Sequence, residues 1–306
     1  YTQFIVITLK DILYKVSLEK VVGNTALAFR ELQFDSRKVG LDDVFVAIDG
    51  TQSDGHQFIK KAIDQGALAV VCQQIPKEII NGITYLQVQD THQALAIMAS
   101  HFYGNPSKDL QLVGVTGTNG KTTIATLLYT LFTSAGYKVG LLSTIKIIMG
   151  TTEHQATHTT PDSLTINKYL RQMVDRGVAY CFMEVSSHGI DQKRTDGLHF
   201  VGGIFTNLSH DHLDYHTSFK QYRDVKKSFF DGLPKTAFAL TNADDKNGPV
   251  MLQWERSNQW FGKDEVMTWA SFGVHRQLVS EGYDTDTDEY YEEIDKRMRE
   301  SFPNKF

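Results

Sequence analysis

The sequence predicts an α/β protein: a small α/β N-terminal domain, then a mostly parallel sheet with helices on both faces, then a short, mainly helical tail. Three observations carry this. From 111 to about 252, short apolar runs that read as strands (111–115, 138–143, 179–184, 202–206 and 236–241) alternate with helical patterns, the order that builds a parallel sheet covered on both sides. Asn105-Pro106-Ser107 breaks the chain just before that region. After Gln253 the composition changes: residues 254–306 carry 12 acidic against 7 basic side chains and all three tryptophans, while the first 253 residues balance at 24 against 24. The expected division is 1–108, 109–253 and an acidic tail, 254–306.

Within the first part, strands are expected at 44–48, 69–72 and 84–88, with helical patterns at 57–65 and 91–102. The middle part opens on the apolar run Gln111–Val115, continues through Gly-rich GVTGTNGKTT, and enters a helical pattern at 124–132. Strand, glycine loop and helix make a P-loop-type phosphate cradle, because backbone N–H groups and the positive helix end face the anion. The usual G-x-x-x-x-G-K-[ST] spacing needs glycine at 115, where this chain has Val115; its glycines are Gly114, Gly117 and Gly120. A coincidental turn is the plain alternative, but Gly120-Lys121-Thr122 outweighs it. Lys121 suits the outer phosphates of a nucleotide, expected to be ATP, and the Thr122 hydroxyl a magnesium ion. The tail contains Asp284-Thr-Asp-Thr-Asp288, out of register with a calcium loop, and is read as the acidic start of a helix with basic residues near 296–299.

Composition narrows the function. The chain has 306 residues, 41% hydrophobic and 22% charged, enough to bury real cores. No apolar run approaches the roughly 20 residues of a membrane span, and no basic stripe invites nucleic acid. Cys72 and Cys181 lie in apolar runs and suggest a reducing compartment, so a cytoplasmic protein is expected. The opening YTQFIVITLK lacks signal-peptide features and an initiator Met, and the chain is expected to be a fragment.

Polar residues collect at strand ends, where open α/β sheets bind ligands. In Met183-Glu-Val-Ser-Ser-His-Gly189, Glu184 could hold magnesium beside a phosphate loop, or could be solvated or cap a helix. Phe205–His216 contains three histidines and two aspartates within seven residues. Metal or acid/base work explains such density better than packing; zinc is open from the histidine count, while an ATP site favours magnesium. Lys226 falls on the apolar face Phe219, Tyr222, Phe229, Phe230, Leu233, whereas Lys227 is expected to point to water. Lys226 either snorkels or is aimed into a metal–phosphate site.

Taken together, GTNGKTT, His158-Thr-Thr-Pro-Asp162, MEVSSHG, Gln192-Lys-Arg194, FTNLSHDHLDYH and Tyr222-Arg-Asp-Val-Lys226 resemble the Mur ligases, specifically the branch that adds the third residue of the peptidoglycan peptide. The likeness reaches upstream through Phe34-Asp-Ser-Arg37, Asp43–Ile48 and Asp54-Gly-His56, and covers roughly 8–253. It implies ATP at Gly117, Thr118, Asn119, Gly120, Lys121, Thr122 and Thr123, and magnesium served by Thr122, Glu184, His212 and a carbamylated Lys226. Lys121, Glu184, His212 and Lys226 would carry the catalysis. Ser36 matches a contact to the uridine nucleotide substrate, and Thr159, Thr160, Ser186, Gln192 and Arg194 match contacts to its sugar-peptide portion. The implied partners are UDP-MurNAc-L-Ala-D-Glu and a diamino acid, diaminopimelate or L-lysine, with a monomer expected. A folylpolyglutamate synthase is disfavoured by MEVSSHG and by the N-terminal match. The family's third, C-terminal domain is not matched by 254–306, so a non-catalytic nucleotide-binding fragment is the alternative from another class.

Overall fold

A computed structural model describes residues 7–252 except 51, 52, 151, 157, 210–214 and 243, together with Glu293 and Lys296. The chain forms two compact units. The first comprises Tyr1–Gly114 and Lys121–Val201, the second Val115–Gly120 and Gly202–Phe306.

The first unit begins with α1 (Leu9–Ile12), β1 (Leu18–Val22), β2 (Leu32–Gln33), β3 (Val44–Val46), α2 (Ile59–Asp64), β4 (Ala69–Cys72), β5 (Thr84–Val88) and α3 (Thr91–Phe102). The five strands form a sheet of order β1-β5-β4-β3-β2. β2, β3, β4 and β5 run parallel and β1 is antiparallel to β5. Side chains alternate across a strand, and here both faces are buried. Val44, Val46, Ala69, Val71, Leu86 and Val88 pack with α1 and α3, while Phe45, Val70, Cys72 and Tyr85 pack with α2. That is why these strands read as continuous apolar runs rather than alternating ones. All four parallel strands end on the same edge of the sheet.

The unit continues through β6 (Gln111–Thr116), α4 (Lys121–Ser134), β7 (Val139–Leu142), β8 (Lys146–Met149), β9 (Thr152–Gln155), α5 (Ser163–Asp175), β10 (Tyr180–Glu184) and α6 (Ser187–Asp191). Its strand order is β6-β10-β7-β8-β9. β10 and β7 are parallel; β8 and β9 form an antiparallel extension that the strand pattern did not predict. Asp90 caps α3 by accepting from Gln93 N at 3.0 Å, and Asp162, at the end of the HTTPD motif, caps α5 through Thr165 N at 2.9 Å.

The second unit holds the end of β6, then β11 (Gly202–Phe205), α7 (Phe219–Asp231), β12 (Phe238–Thr241) and α8 (Gly248–Leu252), with strand order β12-β11-β6. β11 and β12 are parallel. The five strands expected from 111 onward are thus all present, each within two residues of its expected ends. The tail lies outside the described residues apart from Glu293 and Lys296, which are helical and paired at 3.2 Å. Among the described residues no helix is long and apolar enough to cross a membrane.

Candidate functional site

In the second unit, the glycine loop is tied to the chain that follows β11. Thr118 N donates to Asn207 O at 2.8 Å and Asn119 N to Asn207 Oδ1 at 3.0 Å; Asn207 Nδ2 returns a bond to Asn119 O at 3.1 Å. Thr206 Oγ1 donates to Asn119 O at 2.6 Å, and Ser209 N donates to Thr118 Oγ1 at 3.0 Å. Two loop N–H groups thus serve Asn207. The first turn of α4, like any helix start, leaves backbone N–H groups without intrahelical partners. Gly117 has φ +145°, and a Cβ there would run into Thr206 Oγ1 and approach Asn207 O at 3.0 Å. Only glycine fits.

Lys226 sits in the same unit. Ser218 caps α7 through Gln221 N at 3.1 Å, and the helix buries Tyr222, Lys226, Phe229 and Phe230. Lys226 is only 1% exposed, so it does not snorkel. Its Nζ donates to Gly117 O at 3.0 Å and stands 4.7 Å from the Tyr222 ring centre. A carbonyl and an aromatic face both answer a buried ammonium. The Tyr222 hydroxyl bonds Thr118 Oγ1 at 3.1 Å, so α7 grips the loop twice. Lys227 does turn off this face, but it pairs with Asp231 at 2.6 Å and its side chain is 16% exposed rather than bathed in water. His212, with His210 and Asp211, lies outside the described residues.

In the first unit a polar network gathers most of the other expected residues. Glu184, at the end of β10, is fully buried and accepts from Thr144 N at 2.8 Å and Thr144 Oγ1 at 3.1 Å. Thr144 Oγ1 also reaches Thr159 Oγ1 at 3.1 Å. Thr160 Oγ1 bonds Glu184 O at 3.0 Å and Ser186 Oγ at 3.0 Å, and accepts from Ser186 N at 2.9 Å. Ser186 in turn caps α6 through Gly189 N at 3.1 Å. Gly189 packs so closely that a Cβ would meet Thr160 Cγ2 at 2.7 Å, which explains the glycine closing MEVSSHG. Arg194 donates to Thr160 O at 2.6 Å and, through Nε and Nη2, to Gln192 Oε1 at 3.1 and 2.6 Å. Ser36 is buried after β2 and outside this network. Lys121, Thr122 and Thr123 form the first turn of α4.

Glu184 is therefore a buried carboxylate answered by two neutral donors and, among the described residues, by no paired cation. A buried charge without counter-charge is costly, and a divalent cation would supply it. Among the described residues no group of three His, Cys, Asp or Glu forms a ready-made metal cage. Magnesium does not need one, since it usually keeps waters and takes one or two carboxylates plus substrate phosphates.

The sequence reading missed Thr144, although it closes the β7 run as the first polar pair, Ser143-Thr144. It also gave no role to Thr206 or Asn207, visible only as polar residues after β11.

Comparison with known proteins matches residues 115–289 to the Mur ligase middle domain and residues 29–103 to the Mur ligase family, catalytic domain. This chain belongs to the Mur ligase family. The match runs beyond Gln253, where the recognisable motifs end. Curated relatives of this Mur ligase chain include the UDP-N-acetylmuramoyl-L-alanyl-D-glutamate–2,6-diaminopimelate ligases of Cytophaga hutchinsonii, 53% identical over 82% of this chain and 52% of that protein, and of Phocaeicola vulgatus, 52% identical over 80% and 51%. A solved structure of a ligase with the same name superposes with TM-score 0.67 at 26% identity, over 80% of this chain and 49% of that one. The chain spans about half the length of the curated relatives it matches.

Proposed function

We propose that this Mur ligase chain acts in ATP-dependent amide-bond formation on a peptidoglycan precursor, adding a diamino acid to UDP-MurNAc-L-Ala-D-Glu. The names of the relatives favour diaminopimelate over L-lysine. The observation that carries the reading is the single hydrogen-bonded network linking Thr159, Thr160, Glu184, Ser186, Gln192 and Arg194. It joins residues assigned to the sugar-peptide with the one assigned to metal.

In this reading Gly117–Thr123 holds ATP, with Lys121 on the outer phosphates. The D-Glu side-chain carboxylate attacks the γ-phosphorus, giving an acyl phosphate and ADP; the amine then displaces phosphate and forms the amide, losing its proton. Lys121 offsets the charge that develops on the transferring group. By the family resemblance, Thr122, Glu184, His212 and a carbamylated Lys226 would hold magnesium, which would add charge neutralisation; carbamylation would replace the ammonium that bonds Gly117 O. Arg194 suits a carboxylate or phosphate because its planar fork binds bidentately. Ser36 takes the uridine nucleotide. A monomer working in the cytoplasm, without a nucleic-acid partner, completes the proposal.

The test is a turnover assay with ATP, magnesium, the dipeptide precursor and diaminopimelate or L-lysine, run on the chain alone and with the C-terminal half of a relative supplied. Tripeptide product in either arm supports the ligase. Binding of both nucleotides without product in either arm would make the chain a nucleotide-binding module instead.

A further inference from the structure

The turn between β7 and β8 brings an exposed threonine onto a buried carboxylate. β7 and β10 run parallel with Leu142 beside Met183, so Ser143-Thr144 and Glu184 leave the sheet side by side. Ser143 N and Ser143 Oγ both donate to Lys146 O, at 3.1 and 2.8 Å, and Lys146 N donates to Ser143 Oγ at 3.2 Å. The serine side chain takes the place of a strand carbonyl, and only Thr144 and Ile145 remain to form the loop. Two-residue hairpin loops favour Gly, Asn or Asp with positive φ. Here both residues are β-branched and neither has positive φ. A turn that departs from its local rule points to a role beyond the turn.

Thr144 turns two donors on one acceptor group. Its N–H reaches Glu184 Oε1 at 2.8 Å and its hydroxyl reaches Glu184 Oε2 at 3.1 Å. The carboxylate cannot turn about its terminal bond without losing one of them. Glu184 is fully buried, whereas Thr144 is exposed. The same hydroxyl lies 3.1 Å from Thr159 Oγ1. Thr159 is half-buried, and its neighbour Thr160 is anchored on Glu184 O at 3.0 Å. A hydroxyl has one proton to give, and here two acceptors share it. The way Glu184 is held and the way Thr159 is oriented are therefore linked through Thr144.

We propose that Thr144 is a positioning residue: it fixes the Glu184 carboxylate and, from that anchor, holds the Thr159 hydroxyl ready for the substrate. The proposal rests on the reading above, in which Thr159 meets the sugar-peptide portion of the precursor. A hydroxyl already held in place loses less freedom when a ligand arrives than one that rotates freely. Thr144 thus adds to precursor affinity through Thr159, without touching the precursor itself.

The experiment is calorimetric titration of the 306-residue chain, Thr144→Val, Thr144→Ser, Thr159→Val and the double variant Thr144→Val/Thr159→Val with UDP and with UDP-MurNAc-L-Ala-D-Glu. Valine keeps the branched shape and the backbone N–H and removes only the hydroxyl; Thr144→Ala is a second hydroxyl-free variant and should match it. The expected result for Thr144→Val is precursor affinity falling about twofold to tenfold, the scale of one neutral hydrogen bond, with UDP affinity unchanged and Thr144→Ser close to the parent. Once Thr159 is replaced by valine, Thr144→Val should have no further effect, because the coupling runs through that hydroxyl. A role confined to the turn would instead act equally in both backgrounds. Equal precursor affinity in the parent and Thr144→Val, a serine variant as weak as the valine one, or additive losses in the double variant would overturn the role of Thr144 while leaving the precursor reading intact. Failure of the parent to bind the precursor would overturn both.

Discussion

Gly117→Ala should be the most damaging glycine substitution in the phosphate loop, for a reason that can be divided into parts. An alanine held at φ +145° carries a conformational cost of about 1–3 kcal/mol. Its Cβ would also run into Thr206 Oγ1, which cannot swing away freely because it already bonds Asn119 O at 2.6 Å and Thr116 O at 3.3 Å. Breaking those contacts adds about 1 kcal/mol, and Asn207 O, 3.0 Å from the same Cβ, must give as well. The total expected is about 3 kcal/mol. Gly136→Ala is the control: Gly136 has φ +88° and nothing within 4 Å of its Cβ, so only the backbone cost of about 1 kcal/mol applies. Urea denaturation of both variants, read at unchanged slope, should show Gly117→Ala costing about 2 kcal/mol more than the control. Equal losses would refute the claim that Thr206 and Asn207 fix the loop.

Thr160→Val keeps the shape but removes a hydroxyl bonded to Glu184 O and to both polar groups of Ser186; thermal denaturation should show a loss of about 1–3 kcal/mol. Arg37 holds the Asp35 carboxyl down to about 2, so this pair's stabilisation is complete above the ordinary carboxylate value and is lost as pH falls through about 2. A carbon-detected NMR titration should place the Asp35 midpoint there, and Arg37→Gln should move it upward. Burial pushes the Cys72 thiol up to about 11 and raises Cys181 further, so neither should react with a thiol reagent at pH 8 until the chain is unfolded; rapid native-state labelling at either position would contradict the packing around β4 and β10.

Much of the candidate site could be read in the sequence because its residues sit where strands stop. Glu184, Ser186 and Asn207 each follow an apolar run, and ligand sites in open α/β sheets occupy such ends. Lys226 was legible as a lysine on an apolar stripe. Its partner was not, because Gly117 lies 109 positions away and contributes only a carbonyl. The β8–β9 hairpin escaped for a local reason: Thr152–Gln155 has only polar side chains, mostly exposed, so it shows no alternation. Thr144 was missed because a lone threonine after a strand resembles any other; only the buried Glu184 carboxylate makes it a partner. The role of Asn207 needed coordinates too, since its bonds reach back 88 positions to Asn119.

The central claim, that the GTNGKTT loop of this Mur ligase chain holds ATP through Lys121, is tested most directly by calorimetric titration of Mg-ATP into the parent chain and Lys121→Ala. The account predicts measurable binding by the parent and an affinity about tenfold to a hundredfold lower in the variant, the scale expected for a charged phosphate contact. Equal affinity in the two proteins, or no binding by the folded parent, would contradict it.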